Sequence, residues 1–255
     1  MSQTFCEELY NIKQQDSPDL PGFCSVKQPW IRPTNLQESN IMTPIFQIPN
    51  ASVPKGLEVQ YIYVGIGYGL EQNLISPNTI AGVLNVAYDV NDPADLQNAY
   101  DPTDPEIIKI FDEELGIWYF PSLLSKVALV DGNENEMMTL VSAIYMADQL
   151  LNFPSLTEQT QETTKNPGDP MTNFYQQGNL FIHCHDGGSR SVTITALYIY
   201  YKFFVGQYTF QEVYQEVICA RYLEATNHVP TQGICENAYE VLSRYKELFP
   251  KPVCN

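Results

Sequence analysis

The sequence predicts an α/β fold with a central, mostly parallel sheet flanked by helices, and three observations predict it. Short β-branched and aromatic runs alternate with longer stretches of helical spacing. One such run, NLFIHC (179–184), leads into a glycine-containing loop and then a helix. A chain of 255 residues, 44% of them hydrophobic, can also bury the core that a sheet covered on both faces requires.

Residues 1 to about 57 are rich in Pro, Gln and Asn, with short apolar patches such as Ile45-Phe46-Gln47-Ile48 and no sustained periodicity. They predict an irregular N-terminal extension packed on or flanking a domain that spans 58–255. VQYIYVGIG (59–67) and AGVLNVAYDV (81–90) predict strands on either side of the turn-like SPNT. NDPADLQNAYDPTDP (91–105) predicts an acidic loop. EIIKIFDEELG then predicts a short helix with Ile107, Ile110, Phe111 and Leu115 on one face.

KVALV (126–130) predicts a compact strand stopped by Asp131-Gly132-Asn133. ENEMMTLVSAIYMADQLLNF (134–153) predicts a helix with Met138, Val141, Ala143, Ile144, Ala147, Leu150 and Leu151 at helical intervals. The stretch at about 154–178 is polar and has little to bury, which predicts a surface insertion. After the NLFIHC strand, VTITALYIYYKFF is apolar on nearly every side and predicts a central helix, its stripe Tyr198, Tyr200, Tyr201, Phe203 and Phe204 being core packing. FQEVYQEVICARYL and ENAYEVLSRYKELF predict two more helices, with Pro230 and Gly233 punctuating the gap.

Thirty acidic side chains against 13 basic ones give a net charge of -17, which argues against nucleic acid and anionic membrane surfaces as partners. No run approaches the roughly 20 apolar residues that span a bilayer, and no basic-then-apolar leader opens the chain, so a cytoplasmic location is expected. The cysteines (Cys6, Cys24, Cys184, Cys219, Cys235, Cys254) are unevenly spaced with no CxxC pair, in a chain too large to need a disulfide framework. A reducing compartment is therefore expected, with every cysteine but Cys184 a buried or incidental thiol. The Asn50-Ala51-Ser52 sequon is expected to go unused. The oligomeric state leaves no mark on the sequence.

The informative segment is His183-Cys184-His185-Asp186-Gly187-Gly188-Ser189-Arg190-Ser191, a strand end, a loop and a helix start. Ligands bind beyond the carboxyl ends of strands in open α/β sheets, and a helix N-terminus there offers unpaired N–H groups and a positive dipole end. Gly187 and Gly188 are expected to let the loop turn its N–H groups inward as a nest for an oxyanion. Cys184 sits at the mouth of that nest, where its nucleophilic thiolate is favoured. Arg190 can grip two phosphate oxygens with its planar fork.

HCHDGGSRS carries the HCxxGxxRS signature of the protein tyrosine phosphatases, and its Ser-Arg-Ser ending resembles the dual-specificity branch. VGIGYGLEQN, GVLNVAYD and FQEVYQEVICAR…VPTQG resemble stretches of that branch in the same order, over roughly residues 58–250. The resemblance implies a cysteine-phosphatase fold and hydrolysis of phosphate monoesters through a phosphocysteine. It implies Cys184 as nucleophile, Arg190 as phosphate ligand, Ser191 as the hydroxyl that stabilises the departing thiolate, and His183 as support behind the loop. Residues 185–190 (His185, Asp186, Gly187, Gly188, Ser189, Arg190) would form the phosphate-binding loop. No cofactor and no metal are expected.

The leaving oxygen needs a proton, and Asp131, after the strand KVALV, is the expected general acid. Glu134 and Glu136 are its nearest competitors, and Asp89 and Asp92 more distant ones. Asp131 and Cys184 are 53 residues apart, longer than is usual in this branch, and the excess falls in the 154–178 insertion. Val192 replaces the common proline, and a negative Asp186 beside the pocket, in a chain short of cations, argues against highly charged inositol lipids. Phosphotyrosine, with phosphoserine or phosphothreonine, is the expected substrate class on proteins. The alternatives are a non-catalytic phospho-binding or scaffold module, and a phosphatase for a small molecule, nucleotide or glucan. His183, Cys184, His185 and Asp186 are too close in sequence to converge on one metal ion, and the aspartates at 89, 92, 95, 101 and 104 lack the spacing of a calcium loop.

Overall fold

Leu180, Phe181 and Ile182 are fully buried, as a strand covered on both faces requires, and NLFIHC lies at the middle of the sheet. The computed structural model describes residues 2–14, 23–24, 42–49, 60–66, 80–90, 110–112, 117–119, 124–151, 179–221 and 229–250. In chain order the elements are helix α1 (Ser2–Lys13), strands β1 (Met42–Ile48), β2 (Gln60–Ile66), β3 (Ile80–Asn85), β4 (Ile110–Asp112), β5 (Ile117–Tyr119) and β6 (Leu124–Lys126), and helix α2 (Met137–Leu151). Strand β7 (Asn179–Cys184) is followed by helices α3 (Arg190–Ile199), α4 (Phe210–Arg221) and α5 (Gln232–Arg244).

The main sheet has the order β1-β2-β7-β3-β6. Strand β7 runs parallel to both β2 and β3, and β6 runs parallel to β3. Strand β1 closes one edge antiparallel to β2, so the sheet is mixed and parallel at its centre. Its register shifts between Pro44 and Phe46, beside a residue with no N–H to donate.

Helix α2 buries Leu140, Ala143, Ile144 and Ala147 completely, at the helical spacing read from the sequence. All ten residues of α3 are buried, and the helix runs on through one wider π-type turn at Tyr200–Phe204. Tyr198 and Tyr201 of the aromatic stripe are buried, while Tyr200, Phe203 and Phe204 are half-buried against the core. Helix α4 starts at Phe210 as predicted, whereas α5 starts at Gln232, before the predicted Glu236, so Gly233 lies in its first turn rather than in the gap, and it ends at Arg244 rather than Phe249. None of the helices among the described residues is long and apolar enough to cross a membrane.

Several expectations are corrected. The segment expected to be a helix through Ile107, Ile110, Phe111 and Leu115 holds β4, which pairs antiparallel with β5 as Ile110↔Tyr119, Phe111↔Trp118 and Asp112↔Ile117. Two turns of apolar spacing cannot be told from a short strand, and the antiparallel pairing with β5 decides for the strand. The strand expected at KVALV is displaced to Leu124–Lys126, although Val127 N still donates to Asn85 O at 2.8 Å.

The N-terminal region is not irregular in its described parts. Residues 2–13 form an amphipathic helix that buries Phe5, Cys6, Leu9 and Ile12, and Met42–Ile48 is a strand of the sheet itself. Four of the cysteines expected to be free thiols are paired, Cys6 with Cys235 and Cys24 with Cys219. Such long-range pairs have no local spacing signature. The sequon, Asp92, the 91–105 loop, Cys254 and the 154–178 insertion lie outside the described residues.

Candidate active site

Strand β7 ends on Cys184 and α3 begins at Arg190, so the five residues between them bend beyond the carboxyl edge of the sheet. Gly187 has φ +65°, a left-handed conformation that side chains rarely adopt, whereas Gly188 does not take a positive φ. A Cβ on Gly187 would stand 2.6 Å from the backbone of Gly65, so the loop also packs too closely on the end of β2 to admit one. Gly187 and Gly188 are buried, and His185 and Asp186 are exposed.

Ser189 precedes the helix without capping it through its own side chain. Its carbonyl accepts from the N–H and the hydroxyl of Thr193, both at 2.9 Å, and its Oγ accepts from Thr231 N at 3.2 Å. The first N–H groups of α3 therefore face the loop, where an anion can use them. Cys184 is buried, with Sγ 3.3 Å from the hydroxyl of Ser191. His183 is buried on β7 behind the loop, its ring stacked on Phe181 at 5.3 Å.

Arg221 supports the loop from α4, and sequence reasoning missed it. Its Nε donates to Gly187 O at 2.8 Å and its Nη1 to Thr43 Oγ1 at 2.8 Å, so the loop is tied to β1. Burial pushes the Arg221 guanidinium down to about 10, while the negative thiolate of Cys184 works in the opposite sense. The only hint in the sequence was a cation among the apolar residues of an amphipathic helix.

Arg190 is 4% exposed, and two carboxylates reach it. Asp89 Oδ1 accepts from its Nη1, which also donates to Leu129 O at 3.2 Å. Asp131 Oδ2 lies 3.2 Å from Arg190 Nε, an ion pair without hydrogen-bond geometry, so Nε and Asp131 Oδ1 are buried polar atoms lacking hydrogen-bond partners. Burial works against the charge of Arg190, but Asp89, Asp131 and Cys184 together push its pKa above the ordinary value. The hydrogen bond from Arg190 holds the Asp89 carboxyl down to about 2, with His185 Nδ1 3.2 Å from its other oxygen.

Asp89, a distant competitor in the sequence, is thus at the centre of the site. The side chain of Asn85 folds the intervening turn, its Oδ1 accepting from Ala87 N at 2.9 Å and its Nδ2 donating to Val90 O at 3.0 Å. That turn carries Asp89 from the end of β3 to Arg190 on the neighbouring strand-helix junction. Glu134 and Glu136 are exposed, and of the described carboxylates Asp89 and Asp131 are the ones paired with Arg190.

The loop bearing Asp131 is fastened from α5. Thr231 Oγ1 donates to Asp131 O, and Asn237 Nδ2 donates to Asn133 O at 3.1 Å. Asn135 pairs with both backbone groups of Val130, at 2.8 and 2.9 Å, and donates to Asn237 Oδ1 at 3.0 Å. Gly233 lets α5 approach: a Cβ there would lie 2.6 Å from the carbonyl carbon of Gly132. The same helix start therefore holds both Ser189 and the Asp131 loop.

No family model matches the sequence, and no curated protein matches it at a significant level. Solved structures do resemble it. Human DUSP28 has a TM-score of 0.38 and 11% identity over 72% of this chain and 88% of its own. The Yvh1 phosphatase domain from Chaetomium thermophilum has a TM-score of 0.41 and 14% identity over 75% and 95%. Tk-PTP in its active form has a TM-score of 0.39 and 15% identity over 73% and 92%. The TM-scores are 0.41 or lower and the identities 15% or lower, so the chemistry rests on this chain's own residues.

Proposed function

We propose that the chain is a cysteine-dependent phosphatase that hydrolyses phosphate monoesters, with phosphotyrosine and also phosphoserine or phosphothreonine of proteins as its substrate class. The observation that carries this reading is the meeting, at one helix N-terminus, of the Cys184 thiol with a buried Arg190 Nε that lacks a hydrogen-bond acceptor. A phosphoryl group seated on the loop would supply that acceptor.

The charge of Cys184 acts on both Arg190 and Arg221 in the sense that favours their cationic forms, so two guanidinium groups flank the nucleophile. Arg190 Nη1 is already occupied by Asp89 and Leu129 O, which leaves Nε, buried and without a hydrogen-bond partner, for substrate. Substrate phosphate would take the place beside Nε where Asp131 Oδ2 lies at 3.2 Å. The freed carboxyl would then stand beside the ester oxygen.

In the first step Cys184 Sγ forms a bond to phosphorus, the phosphorus–oxygen bond of the ester breaks, and the leaving oxygen takes the proton of Asp131. In the second, water attacks the phosphocysteine, Asp131 accepts its proton, and inorganic phosphate leaves as the thiolate is restored. Ser191, 3.3 Å from Sγ, can donate to the departing thiolate. The loop N–H groups and Arg190 hold the equatorial oxygens, where charge is greatest in the transition state.

The test is hydrolysis of p-nitrophenyl phosphate by the full chain. Wild-type turnover with release of inorganic phosphate, reduced at least about 10³-fold by Cys184→Ser, is the expected outcome. Normal turnover by that variant would remove Cys184 from the mechanism.

A further inference from the structure

Of the five cysteines among the described residues, four are joined in two pairs and the remaining one is Cys184. We propose that the chain is a disulfide-braced enzyme of an oxidising compartment, where the N-terminal strap covalently holds the two helices that support its catalytic loops. The inference rests on the phosphatase reading only for the chemistry of its substrates, which become phosphate monoesters presented outside the reducing cytoplasm.

The strap is seated as well as bridged. Phe5, Leu9 and Ile12 follow the spacing of one helical face and are buried with Cys6 against the rest of the core, and Cys235 on α5 is fully buried. Phe5 packs on Tyr214 of α4 at 5.9 Å and on Tyr239 of α5 at 6.4 Å, so one side chain touches both helices. Phe23, which stacks on Phe5 at 6.1 Å, accepts through its carbonyl from Gln215 Nε2 on α4 at 2.5 Å. These contacts bring each cysteine to its partner, with Cα separations of 5.7 and 5.5 Å, within the range a disulfide needs.

The anchor points bear on the site. Cys219 stands two residues before Arg221, whose guanidinium holds Gly187 of the phosphate loop. Cys235 lies in the first turn of α5, between Thr231, which holds Ser189 and Asp131 O, and Asn237, which holds Asn133 O. The bridges close 229 and 195 residues of chain, so they restrict the unfolded state over most of its length. They also leave none of these four thiols to trap Cys184 in a disulfide of its own.

Each bridge forms when two thiols lose two protons and two electrons to a disulfide donor of the compartment, such as oxidised glutathione or a dithiol oxidase, by thiol–disulfide exchange. In a reducing cytoplasm the same exchange runs in reverse. The pairing therefore reports where the protein matures.

The test begins with protein taken from the cells that make it, quenched in acid and alkylated before any reduction, with peptide mapping as the readout. Recovery of linked Cys6–Cys235 and Cys24–Cys219 peptides is expected, and alkylated thiols at all four positions would overturn the proposal. The bridged full-length protein is then opened by graded dithiothreitol. Its Tm should fall by roughly 10 °C, and p-nitrophenyl phosphate turnover assayed between the two Tm values should be lost. An unchanged Tm with both bridges open would overturn the brace. Absence of turnover in the fully bridged protein would instead overturn the phosphatase reading, while the linkages and the Tm still decide the brace.

Discussion

Asp89 accepts a hydrogen bond from Nη1 of Arg190, so the outer nitrogen of the guanidinium proposed to bind phosphate is tied to the turn after β3, the strand next to the one that ends on Cys184. An arginine with one arm fixed loses less freedom when phosphate arrives. Asp89→Asn is expected to lower kcat/KM on p-nitrophenyl phosphate roughly tenfold, about 1.4 kcal/mol. Unaltered kinetics would show that Arg190 is positioned without it.

The same contact has a pH signature. The Asp89 carboxyl is held at about 2, below the usual carboxylate value near 4, so its contribution to stability is complete above about pH 4 and fades as pH falls toward 2. Because Asp89 is nearly half exposed, solvent screens the effect and the contribution is small. The urea midpoint of wild type should therefore fall more steeply between pH 4 and pH 2 than that of Asp89→Asn. Parallel curves would assign the acid sensitivity to other groups.

Arg221 joins the phosphate loop to β1 through Gly187 O and Thr43 Oγ1, both in the interior. Arg221→Ala leaves the Gly187 carbonyl without this donor and should destabilise the protein by roughly 2–4 kcal/mol. Because the loop loses its backing as well, kcat should fall further than stability alone explains at a temperature where the variant is folded. Chemical denaturation and single-turnover kinetics measure the two effects separately.

Asp131→Asn is expected to slow alkyl and phenyl phosphates with poor leaving groups by about 10²–10³ and p-nitrophenyl phosphate by less. Equal slowing of good and poor leaving groups would move the proton donor to another carboxyl.

Gly233 offers a test of how tightly the acid loop must be held. In Gly233→Ala the new methyl would meet Gly132 and Asn133 backbone atoms at 2.6 and 2.7 Å, so the Asp131 loop must shift. A cost of roughly 1–3 kcal/mol is expected from overpacking. Because Thr231 at the same helix start also holds Ser189, both kcat and KM should worsen; an unchanged KM would show that the Asp131 loop alone gives way.

The sequence by itself determined the central strand-loop-helix junction. Its nine residues are contiguous, the strand is continuously apolar because both its faces are covered, and α3 is apolar all round because it is buried all round. Helix α2 was legible for a related reason: fifteen residues are enough turns for the helical period to stand out. Asp131 was the expected acid from its place after KVALV; that strand is displaced to Leu124–Lys126, yet the side chain still lies 3.2 Å from Arg190 Nε.

Tertiary structure decided the partners that lie far apart in the chain. Asp89 meets Arg190 across 101 residues, Arg221 meets Thr43 across 178, and the bridged cysteines are 195 and 229 residues apart. No period or local spacing encodes such meetings, because each depends on which strands neighbour one another and which helix face turns inward. The β4–β5 pair was missed because a few apolar residues fit either period, and pairing between the two strands chose between them. The N-terminal helix and β1 were missed because α1 has only three turns and β1 is an edge strand interrupted by Pro44, and what orders them is the core they cover.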